Sequence, residues 1–267
     1  MFTSILNKRV NDWVENNNIV SDAQFGFRKG RSTLDAIFVL NAVIQNILNE
    51  KKRLYCAVID LKKAFDSINL HNIWYKLFKQ GLNGKMLQLI KDMYNNVKSC
   101  VSGCNSLSEY FNCVVGLKQG EVMSPILFSL FIEDLELFLQ DDVNCGLSFN
   151  DIMFVLMLFA DDMVILGNSR ADLQQRLDLL SEYCSKWGLQ VNTIKSKILV
   201  FRKRGGLRPD EVWQYNGNVI DTVSDFNYLR TVFNYTGSFT LNHETLSGKG
   251  LNALNVLLNN LKHLNLN

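Results

Sequence analysis

Proline is scarce in this 267-residue chain, and its two copies, Pro125 and Pro209, exclude Pro-rich linkers and collagen-like repeats. Excess charge is missing as well. Lysine and arginine number 28 against 26 acidic residues, a net +2, so composition does not mark a nucleic-acid binder and any basic surface must come from placement. No apolar run reaches the ~18 residues of a membrane span. The nearest, residues 152–166 (IMFVLMLFADDMVIL), carries two adjacent aspartates near its middle. The six cysteines, Cys56, Cys100, Cys104, Cys113, Cys145 and Cys184, form no C-x-x-C pair, and no histidine lies between His71 and His243. A closed zinc site is therefore disfavoured. The start, MFTSILNKRVNDW, meets Lys8 and Arg9 before an apolar leader core can build, so the expectation is an intracellular chain, nuclear or cytoplasmic and not secreted, with reduced thiols. Repeats and low-complexity tracts are also missing. What is present, 47% hydrophobic and 20% charged residues, is ordinary globular usage.

Periodicity predicts helices at 4–17, from Ser32 as N-cap, at 70–80, at 84–95, from Pro125 through ILFSLFIEDLELFL, at 170–187 and at 251–264. It predicts strands at 54–60, 97–101, 110–115, in two pieces around Ala160, Asp161 and Asp162, at 189–191, at 198–201, and in short pieces to about Phe233. With the insertions left out, the middle reads β-α-β-β-α-β, the order of a ferredoxin-like unit. In that order Asp60 and the Asp161/Asp162 pair would meet at one sheet edge.

Aspartates also suit an exposed hairpin turn, and taken alone the pair in the hairpin could be no more than that. Together with Asp60, at the end of a buried-looking strand, they form the oxygen-rich set that a hard cation such as Mg²⁺ prefers. Two ions held so can serve in-line phosphoryl transfer.

Six blocks then carry a resemblance. FADDMVIL (159–166) looks like the signature hairpin of reverse transcriptases, and AVIDLKKAFDSI (57–68) like their first catalytic strand. GLKQGEVMSPILFSLFI (116–132) resembles their nucleotide-contacting turn and helix. QFGFRKGRST (24–33) resembles the fingers motif of the non-LTR, LINE-like branch. WGLQVNTIKSKILVF (187–201) and YLRTVF (228–233) resemble its lysine-bearing palm strand and primer-grip hairpin.

The resemblance implies an α+β right-hand polymerase: partial fingers over 1–53, and a palm over 54–204 with a fingers-like insertion at about 70–115. Primer-grip strands would follow over 205–240, and the truncated start of a thumb over 241–267. It implies an RNA-directed DNA polymerase that uses an RNA template, a DNA primer and dNTPs, with two Mg²⁺ ions, or Mn²⁺ in their place, and no membrane. Asp60, Asp161, Asp162 and the Leu61 carbonyl would hold the metals, and Lys195 would protonate the leaving pyrophosphate. Phe65 would exclude a 2′-hydroxyl, with core packing as the alternative. Gln119 and Gly120 would lie against the incoming base and template. Arg28, Lys29 and Arg31 would meet the triphosphate or template, and Tyr228, Leu229 and Arg230 would form the primer grip. The cations of 195–208 and of 51–53 would track a phosphate backbone.

Arg230 stands where the family pattern has glycine, which implies strain if that position needs positive φ. With the first fingers strands and most of a thumb outside the match, weak primer-template binding and reduced extension are expected. The alternatives are an inactive remnant that only binds nucleic acid or a partner, and an RNA-templated RNA polymerase, against which Phe65 speaks.

Overall fold

The computed structural model describes residues 2–95, 97–103, 106–140, 147–149 and 152–262. Helix α1 (Phe2–Asn16) precedes α2 (Thr33–Asn49). A capping box opens α2: Ser32 Oγ accepts from the Asp35 N–H, and the Asp35 carboxylate accepts from the Ser32 N–H. Strand β1 (Leu54–Ile59) leads to α3 (Leu70–Lys79), α4 (Gly84–Tyr94) and a short ribbon, β2 (Lys98–Ser99) with β3 (Phe111–Asn112). Then come α5 (Ser124–Phe131), α6 (Leu135–Gln140), β4 (Leu147–Phe149), β5 (Ile152–Phe154), β6 (Leu156–Phe159), β7 (Asp162–Gly167), α7 (Arg170–Trp187) and β8 (Lys197–Phe201). The C-terminal part holds β9 (Trp213–Tyr215), β10 (Asn218–Ile220), β11 (Thr222–Val223), β12 (Asp225–Tyr228), β13 (Thr231–Asn234) and α8 (Thr240–Lys262).

The central sheet runs β11-β8-β1-β7-β6, with β1 antiparallel to both β7 and β8. Without its edge strand β11 this is the ferredoxin-like order expected from the sequence, with β1 in the middle. The unbroken apolar run of β1 follows from burial on both faces. Tyr55, Ala57 and Ile59 enter one core with α1, α3–α7 and their loops, while Leu54, Cys56 and Val58 enter a second core with α2 and the β12–β13 hairpin.

Four expectations need correction. The segment 189–191 is not a strand; the strand that follows α7 in the central sheet is β8. Gly188, with φ 76°, ends α7, and the chain then crosses the end of β1, where Val191 makes only an isolated bridge to Leu61. The helix after Pro125 is two helices. Lys76 Nζ takes the Phe131 carbonyl at 2.7 Å, and the Leu135 N–H turns to Ile132 instead at 3.0 Å. Burial lowers the pKa of Lys76 to about 8, opposed by Asp134, and its ammonium lies 3.9 Å from the Trp187 ring centre. The run from Ile152 holds three strands, since β5 pairs with β4 rather than with the β6–β7 hairpin. The last helix begins at Thr240, well before residue 251; residues 263–264 of the expected helix lie outside the described residues.

Leu251, Leu254, Leu257 and Leu258 of α8 are exposed. Cys56, Cys100, Cys113 and Cys184 are free thiols, and Cys104 and Cys145 lie outside the described residues. Among the described residues, no helix is long and apolar enough to cross a membrane.

Candidate active site

Asp60 follows β1 directly, and its main chain is clamped from one side. Its N–H donates to the Ser196 hydroxyl at 3.1 Å, and its carbonyl accepts from the Asn192 N–H at 2.8 Å. The pairing of Ile59 with Met163 carries Asp60 to the start of β7, beside Asp162. Ala160 and Asp161 form the two-residue turn between Phe159 and Asp162.

Ala160 has φ 58°, a left-handed conformation that costs a non-glycine residue about 1–2 kcal/mol and persists only where neighbours enforce it. The neighbour here is the segment 23–26. The Phe25 N–H donates to the Leu158 carbonyl, and the Leu158 N–H to the Ala23 carbonyl, each at 2.8 Å. Gln24 Oε1 accepts from the Gly26 N–H at 2.8 Å and from the Ala160 N–H at 3.2 Å. A side chain on Gly26 would put its Cβ 2.4 Å from the Ala160 nitrogen, so only glycine allows this approach.

A cavity of about 720 Å³ opens at this end of the sheet. It brings together Asp60, Leu61, Phe65, Gln119, Asp161 and Lys195. Asp162 is not among its lining residues. Although Asp162 reaches the surface, partial burial of its carboxyl, and then the charges of Asp161 and Asp60, raise its pKa above the ordinary value. Three carboxylates thus share one electrostatic neighbourhood, and such a donor set fits a hard divalent cation. Among the described residues no three His, Cys, Asp or Glu side chains close into a ready-made metal set.

Phe65 serves the core and the cavity at once. It stacks on Phe128 with ring centres 4.7 Å apart, remains half-buried, and lines the cleft. Gly116, with φ 86°, lets the turn before Gln119 close on the segment 65–68; a Cβ there would lie 2.7 Å from the Asp66 carbonyl oxygen. Gln119 then donates to both Asp66 carboxylate oxygens, at 2.9 and 3.0 Å. Gly120 is exposed and has φ 79°.

Arg28, Lys29 and Arg31 do not line this cavity. Arg28 is bound by Glu15 at 3.2 Å, by Asp22 at 3.6 Å and by the Ser21 carbonyl; Arg31 pairs with Asp22; Lys29 is exposed. Tyr228 is 2% exposed and anchors its hairpin in the second core. Burial first, then the charge of Asp162, raises its phenol pKa.

Sequence reading passed over Gln24, Gly26, Asp66, Asn192 and Ser196. For Gly26 the signal was a glycine between two aromatics in a motif already singled out.

Leu229 and Arg230 are the two central residues of the β12–β13 turn, with φ 48° and 68°. Two positive φ values define the turn type that favours Asn-Gly. Arg230→Gly is therefore expected to stabilise the protein by about 1 kcal/mol, read as a higher urea midpoint at unchanged slope. A midpoint that stays put or falls would mean that the arginine side chain offsets its own strain.

Comparison with known proteins matches one family and, among others, two relatives and two solved structures. The family described as reverse transcriptase (RNA-dependent DNA polymerase) matches residues 1–233. The RNA-directed DNA polymerase from mobile element jockey of Drosophila funebris is 26% identical over 225 residues, which is 81% of this chain and 23% of that protein. The probable RNA-directed DNA polymerase from transposon BS of Drosophila melanogaster is 27% identical over 238 residues, 86% of this chain and 25% of that protein. The chain thus spans about a quarter of these relatives' length.

Among solved structures, apo telomerase from Candida tropicalis, truncated from its C-terminal domain, superposes with a TM-score of 0.60 at 12% identity, covering 88% of this chain and 44% of that one. Telomerase from Candida albicans, in complex with the TWJ fragment of telomeric RNA, gives 0.59 at 13% identity, covering 90% and 39%. At such identities the likeness concerns the fold: an α+β right-hand polymerase.

Proposed function

The chain belongs to the reverse transcriptase (RNA-dependent DNA polymerase) family, and its relatives include non-LTR retrotransposon enzymes; from that premise we propose that it extends a DNA primer with dNTPs on an RNA template. The observation that carries this reading is the shared cleft. Asp60 and Asp161, far apart in sequence, open into one cavity together with Phe65, Gln119 and Lys195. In this reading residues 1–53 are fingers, 54–204 palm, 205–240 the primer-grip strands and 241–267 the beginning of a thumb.

Asp60 and Asp161, with the Leu61 carbonyl and Asp162, would hold two Mg²⁺ ions, which when bound favour the ionised primer hydroxyl and balance charge on the leaving pyrophosphate. Ser196 and Asn192 fix the main chain of Asp60, so that its carboxylate swings about a stationary backbone. Lys195 Nζ gives a proton to the departing pyrophosphate oxygen. Gln119, tied to Asp66, offers a flat amide edge to the incoming nucleotide, and Gly120 leaves the template room. Phe65, held from behind by Phe128, presents its free face where a 2′-hydroxyl would sit.

A second reading, a remnant that binds nucleic acid without catalysis, is favoured by one observation: among the described residues no three His, Cys, Asp or Glu side chains form a ready-made metal set. Primer extension on an RNA template separates the two. Extension that needs Mg²⁺ and stops with EDTA supports the first; binding without extension supports the second.

Phe65→Ala is expected to raise ribonucleotide over deoxynucleotide incorporation about tenfold, since a hydroxyl-sized steric difference is worth about 1–3 kcal/mol. The check is extension with rNTPs against dNTPs. An unchanged ratio in an active variant would leave Phe65 as core packing alone.

A further inference from the structure

A second cavity, of about 320 Å³, lies at the opposite end of the sheet, and its lining is six cations: Lys51, Lys52, Arg53, Arg202, Lys203 and Arg204. Arg53 precedes β1 and Arg202 follows β8, and the pairing of Leu54 with Phe201 brings them side by side. Strand β1 separates this cavity from Asp60 by roughly 20 Å. The basic run expected to act as one track is therefore divided. Lys195 faces the catalytic cleft, Lys197 pairs with Asp221 at 2.7 Å, and Arg202, Lys203 and Arg204 belong to the far end.

Part of the site is built and rigid. The buried Glu211 carboxylate holds Arg53 with contacts of 2.6 and 2.8 Å, and also accepts from the Tyr55 hydroxyl and the Arg208 N–H. Arg202 lies over the Tyr235 ring, 4.3 Å from its centre, and donates to the Gly205 and Val200 carbonyls. The rest is exposed rim. Lys52 pairs with Glu50, and Lys203 Nζ donates to the Asn49 side chain. Among the described residues Lys51, Arg202, Lys203 and Arg204 make no ion pair with an acidic side chain.

Four unneutralised cations around one small cavity, in a chain of net charge +2, repel one another and focus positive potential there. A polyanion with regularly spaced, tetrahedral, multiply accepting groups relieves that repulsion, and arginine forks match such groups in geometry. We propose that this cavity binds the phosphodiester backbone of a nucleic-acid segment lying outside the catalytic cleft. The contact is to phosphate, so RNA and DNA of equal length and fold bind here alike. The inference rests on the polymerase reading only for the choice of polyanion.

The test uses the 267-residue chain and a fluorescent RNA hairpin, with a DNA hairpin of the same length, followed by anisotropy across a salt series. Lys51→Gln, Lys203→Gln and Arg204→Gln together should reduce the slope of log affinity against log salt by about 2 to 3 for both nucleic acids, because each lost phosphate contact removes nearly one counterion. The urea midpoint should hold, since all three side chains are exposed. The pair Lys203→Glu with Arg204→Glu should give the same loss from a separate variant. Extension of a short primer-template confined to the cleft should keep its rate, which separates this site from the catalytic reading. An unchanged salt slope in both variants overturns the proposal. So does capture of the wild type by phosphatidylserine vesicles without binding to either hairpin, which would place a lipid surface here.

Discussion

Asp161→Ala is expected to lower single-nucleotide addition about a thousandfold while the fold survives. Asp161 sits in the turn between β6 and β7, where its side chain opens into the cleft and supports no core packing. In the proposed two-metal reading, losing this carboxylate removes several kcal/mol of charge stabilisation at the reacting phosphorus, and about 4 kcal/mol is a factor of about 10³ in rate. The substitution also deletes a charge that raises the pKa of Asp162, so like-charge repulsion at the turn falls and the urea midpoint should stay level or rise. The two readouts therefore diverge: activity collapses and stability does not. Measuring single-turnover addition beside urea unfolding checks both. Residual activity within tenfold of wild type would remove Asp161 from the chemistry, whatever the family pattern implies.

That Asp60 and Asp161 open into one cavity is legible in the sequence through local physics. Each interrupts or ends a run that is otherwise apolar, and the β-α-β-β-α-β order places a first strand beside a hairpin. Both signals come from period-2 burial and short connections. The choice of last strand failed because residues 189–191 are apolar and β-like, while the decision was made elsewhere. Gly188 turns the chain across the end of β1, and Asn192 and Ser196 are spent on the Asp60 backbone. The single long helix after Pro125 failed for a similar reason, since its break is caused by Lys76, a residue from another helix. The ion pairs of Arg28 with Glu15 and of Arg31 with Asp22 were not legible either, because an arginine in a loop carries no mark of the carboxylate that it meets. Interactions set by distant partners leave no period in the sequence.

Gly26→Ala is expected to lower kcat about a hundredfold although residue 26 touches no substrate. A Cβ there would come within 2.4 Å of the Ala160 nitrogen and 3.0 Å of the Phe159 carbonyl carbon, both backbone atoms that cannot rotate aside. Either the segment 23–26 lifts off β6 or the catalytic turn is pushed outward. In the first case the two bonds that join Ala23 and Phe25 to Leu158 weaken, and with them the restraint on the left-handed Ala160. In the second case Asp161 itself moves, and an error of about 1 Å at a catalytic group costs about a hundredfold in rate. Stability should fall by only about 1–3 kcal/mol, the usual cost of overpacking a tight site. Gln24→Leu gives an independent reading, because it removes the oxygen that holds both Gly26 and Ala160 without adding a clash. Both variants should lose kcat with little change in KM for dNTPs, since Phe65 and Gln119, proposed to face the nucleotide, belong to other segments. A loss confined to KM, or none in either variant, would show that the fingers segment packs on the hairpin without aligning it.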